Sequence, residues 1–257
     1  MKTKISILFV LLCISTIAYS NTNQNDYYSE SFLDKINDEN QSPEELKKEL
    51  FILSETRQTL SLSYEEARRI MFGNLFLETR GTNQYVVKDV YCNNQIDQKA
   101  GAGPNNIPNP QLINCEHTWP QSKFSKDFPS NNQKTDLHHL FPTDMKANST
   151  RGNNPFAEVN GQATNSNCTD SKIGNSLDNN VRSFEPPIEH RGNVARAMYY
   201  FSTRYKMSID YSQAKYLKKW NAEDPVDSEE LNRNEKIMNI QGNRNPFVDH
   251  PELIDRL

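Results

Sequence analysis

Glu116 and His117 stand side by side in "NCEHTWPQSKF" (residues 114–124), and a chain with five histidines places two more, His138 and His139, in "TDLHHLFPTDMKANSTRGNNPF" (135–156). A carboxylate beside an imidazole divides naturally into two tasks: the hard oxygen ligand holds a hard cation, and the imidazole moves a proton near neutral pH. Successive residues of a regular strand point to opposite faces, so these two can serve one site only from a strand end, which Pro120 supplies. Asn148 is a third unusual choice, because asparagine is a mediocre helix former and the position reads as mid-helix. An amide oxygen beside one carboxylate makes a weakly charged site suited to Mg²⁺ that keeps several waters and a substrate phosphate. Metal, imidazole and phosphate together describe hydrolysis of a phosphodiester.

Three elements must position these groups. "QLINCEH" reads as a short strand stopped by Pro120, and "DLHHLF" as a second one stopped by Pro142. Thr143 or Asp144 then caps a helix running to about Arg151 and ended by Gly152. Around this unit the pattern predicts helices at "SPEELKKELFIL", with Ser42 as N-cap and Glu45 closing a capping box, and at "SYEEARRIMFGNLF", with Ser63 and Glu66 in the same roles. "YVVKDVY" (85–91) is a strand candidate. "HRGNVARAMYYFSTRY" places Val194, Met198, Phe201 and Tyr205 on one helical face, and a last helix spans about Ser228 to Ile240. The reading is α+β, in one helix-rich domain.

The chain begins with lysines, an apolar run from Ile5 to Ile17, and small residues at Ala18 and Ser20, the pattern of a signal peptide over residues 1–20. Cys13 follows the large Leu12, which argues against a lipid anchor, so the expectation is an exported, soluble monomer free of the membrane, periplasmic or secreted. Residues 21–41 read as a loose polar leader, leaving a domain over 42–257. Export leaves Cys92, Cys115 and Cys168, which suits one disulfide and one spare thiol without fixing the pair. The net charge of −4 excludes a wholesale cationic surface. The stretch from Arg182 to Lys219, however, has eight basic residues against three acidic ones, and Arg191 and Arg196 within it are candidates to hold a nucleic-acid backbone, as are Lys123 and Lys126.

"EHTWP", "DLHHLFPTD", "NSTRGNNPF", "RGNVARAMYYFSTRY" and "QGNRNPFVDHPEL" together resemble successive blocks of the bacterial endonuclease I family, from about residue 65 to the C-terminus. The resemblance implies an exported nuclease with a ββα-metal (His-Me finger) core, here at about 111–152. It implies His117 as the general base that activates water, and Glu116 and Asn148 as the protein ligands of one Mg²⁺, for which Mn²⁺ or Ca²⁺ can substitute. DNA is the expected substrate, cut without sequence preference, with RNA left open. Some members carry a longer, Cys-rich insert between the two strands, with an arginine on the scissile phosphate. This chain has only Lys123, Lys126 and Lys134 there, so Arg151, one turn after Asn148, is the candidate for that contact. The family also places a cysteine directly before the glutamate in a disulfide, with Cys115 at that position here. In "NRNPFVDHP", Arg244 and His250 read mainly as scaffold.

Two other classes compete. A zinc hydrolase could recruit His117, His138 and His139, but no His-Glu-x-x-His motif exists, and adjacent histidines on a strand would point apart. A non-catalytic nucleic-acid-binding protein would want a more basic chain.

Overall fold

The computed structural model describes residues 27–257. The expected signal peptide, with residues 21–26 of the leader, lies outside that range. The remainder of the leader is not loose: Ser29 caps a helix, α1 (Glu30–Asn37), whose Phe32 and Ile36 are buried along with Tyr27 and Tyr28. Tyr28, Phe32 and Ile36 recur every fourth residue, a helical face masked by the polar residues around them. The Tyr28 hydroxyl donates to Asp249, 2.6 Å away near the far end of the chain.

Both predicted capping boxes form, at the start of α2 (Pro43–Arg57) through Ser42 and Glu45, and of α3 (Tyr64–Ile70) through Ser63 and Glu66. A π-helical turn (Met71–Leu75) leads into an antiparallel meander of β1 (Leu77–Thr79), β2 (Tyr85–Lys88) and β3 (Gln95–Asp97). Next comes β4 (Ile113–His117), then a connection containing α4 (Ser130–Thr135), then β5 (Leu140–Asp144). β4 and β5 pair antiparallel, with Glu116 opposite Phe141 and His117 opposite Leu140. α5 (Met145–Arg151) follows at once, capped by the Asp144 carboxylate and ended by Gly152 at φ +53°, a conformation glycine adopts without strain.

"DLHHLF" is not one strand. Leu137–His139 form a 3₁₀ turn, and the strand starts at Leu140 and continues through Pro142. A two-stranded sheet gives each strand an open edge, where the missing N–H of a proline costs no ladder hydrogen bond.

A second meander, β6 (Val159–Asn165), β7 (Cys168–Ser176) and β8 (Arg182–Glu185), packs beside a helical layer. That layer comprises α6 (Arg191–Arg204), α7 (Tyr211–Glu223), α8 (Ser228–Gln241) and the short α9 (Pro246–Asp249). α6 is buried nearly all round, so its predicted face of Val194, Met198 and Phe201 is only part of what it packs. One apolar cluster gathers α1, α2, α6, α7 and the second meander. The other lies under β4 and β5, with Met71, Val87, Ile113, Cys115, Leu140 and Ile237. Arg244, expected to be scaffold, is buried on Asp249 through two hydrogen bonds of 2.7 and 2.8 Å.

Candidate active site

The end of β4 and the face of α5 open onto one cleft of about 420 Å³, lined by Glu116, His117, Asn148, Arg151, Tyr64 and Gln121 among others. The three residues singled out for chemistry therefore converge. The neighbours Glu116 and His117 share the cleft because His117 is the last residue of its strand.

Glu116 is 2 % exposed. Its Oε1 takes the Tyr91 hydroxyl at 3.0 Å and lies 2.8 Å from Arg151 Nη1. Burial raises its pKa, while Arg151 and the Tyr91 hydrogen bond pull it down. The other oxygen, Oε2, takes no hydrogen bond from the described residues. Arg151 does not reach into the cleft as a free cation. It is 2 % exposed, donates Nη1 to the His117 carbonyl at 2.9 Å and Nη2 to the Thr118 carbonyl at 2.6 Å, and lies over the Phe156 ring. It ties the end of β4 to α5.

His117 Nε2 lies 3.0 Å from the Lys134 carbonyl oxygen. A carbonyl only accepts, so Nε2 carries the hydrogen and Nδ1 holds the free lone pair. The Gln121 side-chain amide sits 3.3 Å from that Nδ1 and donates to it. Burial, with His139 beside it, pulls the His117 pKa down to about 3, so the ring is neutral at ordinary pH.

Asn148 donates its Nδ2 to Thr143 Oγ1 at 3.1 Å, which assigns the amide and leaves Oδ1 as an acceptor. Glu116 Oε2 and Asn148 Oδ1 thus offer one carboxylate and one amide oxygen to a cation. This donor set fits Mg²⁺, a hard ion that keeps most of its water, and does not fit zinc, which takes nitrogen and sulfur ligands in closed sites. His138 and His139 are buried and do not line the cleft: His138 Nε2 meets the Asn243 carbonyl at 3.0 Å and His139 Nε2 the Gln133 carbonyl at 2.7 Å. The three histidines address three different backbone carbonyls rather than one point.

Among the basic candidates, Lys123 and Lys126 are exposed, and Lys123 lines a smaller pocket that shares Pro120 and Arg151 with the cleft. Arg196, expected to hold a nucleic-acid backbone, is buried. It is 1 % exposed, with Glu230 at 2.6 Å and Asn221 and the Asp224 carbonyl taking its remaining donors. Arg191 is likewise committed, to Glu185 at 2.5 Å and Glu158 at 3.6 Å. Lys215 and Lys219 of the same basic stretch pair with Asp178 and Glu158. Acids from outside the stretch offset part of its local charge excess. The disulfide joins Cys92 and Cys168, and Cys115 is a free, buried thiol rather than half of a bridge.

Tyr91, Gln121, Thr143 and the Lys134 carbonyl complete the site. Nothing in their local sequence marks them, since each acts through a contact that only the fold creates. Tyr91, for one, lies 25 residues before the glutamate it holds.

Two antiparallel strands and a helix present a neutral histidine beside one carboxylate and one amide oxygen. The endonuclease I family model matches residues 42–252, and the chain belongs to that family. It is 38% identical over 162 residues to an extracellular ribonuclease of Bacillus amyloliquefaciens, covering 56% of this chain and 53% of that protein. It is 33% identical over 141 residues to an extracellular deoxyribonuclease of Aeromonas hydrophila, covering 53% and 59%. It is 30% identical over 134 residues to an endonuclease-1 of Buchnera aphidicola, covering 52% of each. The chain spans about half the length of these relatives.

Proposed function

We propose that this protein is an exported, Mg²⁺-dependent endonuclease that hydrolyses phosphodiester bonds of nucleic acid without sequence preference. The observation that carries the reading is the convergence of Glu116, Asn148 and His117 on one cleft, with Glu116 Oε2, Asn148 Oδ1 and His117 Nδ1 left as acceptors. Glu116 and Asn148 would hold the ion, which when bound supplies positive charge to the phosphate and to the leaving oxygen. His117 Nδ1 accepts the proton of the attacking water, taking the place that the Gln121 amide fills here. The Lys134 carbonyl fixes the ring's tautomer and orientation and stabilises the imidazolium that results. Arg151 holds the His117 and Thr118 carbonyls, and so the strand end from which the base projects.

Every named group comes from one chain, so a monomer suffices. Action outside the cytosol is supported by the relatives called extracellular and by the Cys92–Cys168 disulfide, a bond of oxidising compartments. The relatives' names divide between ribonuclease and deoxyribonuclease, and the proposal takes both polymers as substrates. The test is purified protein with supercoiled plasmid, linear DNA and RNA in excess chelator, with Mg²⁺ or Zn²⁺ added back. Nicking, linearisation and then a smear on Mg²⁺ addition are expected. Discrete fragments, or activity restored by Zn²⁺ alone, would overturn the reading.

A further inference from the structure

Tyr91 lies far from the strand–strand–helix unit in sequence, yet its fully buried hydroxyl sits on the carboxylate of Glu116, 3.0 Å from Oε1. A phenol is protonated at neutral pH and donates, and Arg151 meets the same oxygen from another side. Two donors on Oε1 fix the plane of the carboxylate and leave Oε2 as the oxygen for a cation. Tyr91 itself is held with unusual thoroughness. Its carbonyl accepts the Ser171 hydroxyl at 2.7 Å, and the next residue is cross-linked to Cys168. Its N–H goes to the buried carboxylate of Asp89, 3.0 Å away.

Asp89 adds a second arm. The same carboxylate accepts the N–H groups of Cys92 at 2.7 Å, Asn94 at 2.8 Å and Asp144 at 3.1 Å. Asp144 caps the helix that carries Asn148, and the Val90 N–H donates to the Pro142 carbonyl just before it. One short segment, 89–92, therefore grips the strand ligand through Tyr91 and the root of the helix ligand through Asp89.

We infer that Tyr91 is a positioning residue for the metal site, orienting Glu116 from a segment that also sets the start of the Asn148 helix. The inference rests on the reading of Glu116 and Asn148 as cation ligands. Partners that orient a ligating group from behind typically govern metal affinity by ~10–100-fold when removed.

The experiment is Mn²⁺ binding to the whole protein, followed by electron paramagnetic resonance of the free ion, alongside Mg²⁺ titration of cleavage. Tyr91→Phe deletes the hydroxyl and keeps the ring. It should weaken Mn²⁺ binding by about tenfold and raise the half-saturating Mg²⁺ by a similar factor, with cleavage recovering toward the wild-type rate at excess Mg²⁺. Phe184→Leu is the control: its ring packs 4.7 Å from that of Tyr91, so it disturbs the same core without touching Glu116 and should keep wild-type metal affinity. Wild-type affinity in Tyr91→Phe, or an equal loss in Phe184→Leu, would overturn the inference. If Tyr91→Phe does not fold, Ser171→Ala carries the test, with a smaller loss in the same direction expected and unchanged affinity counting as refutation. Failure of the underlying reading looks different: wild type would bind no Mn²⁺, or Glu116→Gln would bind it as well as wild type.

Discussion

Arg151 and Glu116 form an ion pair of 2.8 Å between side chains that are 2 % and 3 % exposed. The pair joins the helix that carries Asn148 to the strand that carries Glu116 and His117, and Arg151 also donates to the His117 and Thr118 carbonyls. An arginine so committed holds the geometry of the site.

Arg151→Ala should therefore be a stability mutant first. It leaves a buried carboxylate without its cation, a loss on the order of 3–5 kcal/mol for a pair of this kind. Arg151→Lys should recover little, because one ammonium cannot reproduce a planar fork across three acceptors. Urea unfolding of both variants checks this. Full stability in Arg151→Ala together with lost turnover would return Arg151 to the phosphate-contacting role.

Acid should destabilise the fold well above the carboxylate range. Burial pulls His138 and His139 down to about 4 and His190 to about 3. In the unfolded chain these rings titrate near ~6.5. Between about 6.5 and 4 the unfolded state binds protons that the folded state refuses, so stability falls as pH falls through that window and is level above it. Thermal unfolding at pH 7.5, 6 and 5 should show a progressive loss. A flat profile to pH 5 would contradict it.

The elements that local chemistry dictates were legible in the sequence. The capping boxes at Ser42 and Ser63, the Asp144 cap and the Gly152 stop each depend on residues within one turn. So were Glu116, His117 and Asn148, because an acid–histidine pair at a strand end and an asparagine in a short helix are locally odd. What was not legible depends on distant partners. The basic stretch from Arg182 to Lys219 looks like an anion surface until Glu230, Glu158 and Asp178 pair with Arg196, Lys219 and Lys215. The strand containing Pro142 is permitted by the open edge of its sheet, a fact of topology. The face of α1 was hidden by its polar surroundings, and Cys115 resembled a disulfide half until Cys92 and Cys168 were found together.

The cysteines give a prediction of their own. Removing the Cys92–Cys168 bridge, with 76 residues of sequence separation, should cost about 4 kcal/mol if loop entropy governs it. Burial raises the Cys115 pKa to about 12, so the native protein should react negligibly with a thiol reagent and the unfolded, oxidised protein should show one thiol. Three thiols in the oxidised chain would contradict the pairing.

The division of labour between the adjacent Glu116 and His117 is the central claim, and Mg²⁺ titration beside single-turnover cleavage tests it most directly. His117→Ala should bind Mg²⁺ and nucleic acid nearly as wild type does, yet lose turnover by about 10²–10⁴-fold, as expected when a general base is removed. Glu116→Ala should bind Mg²⁺ weakly, with cleavage partly restored by excess metal. If His117→Ala instead abolishes metal binding while Glu116→Ala leaves it intact, the assigned roles are wrong and a histidine-held metal takes their place.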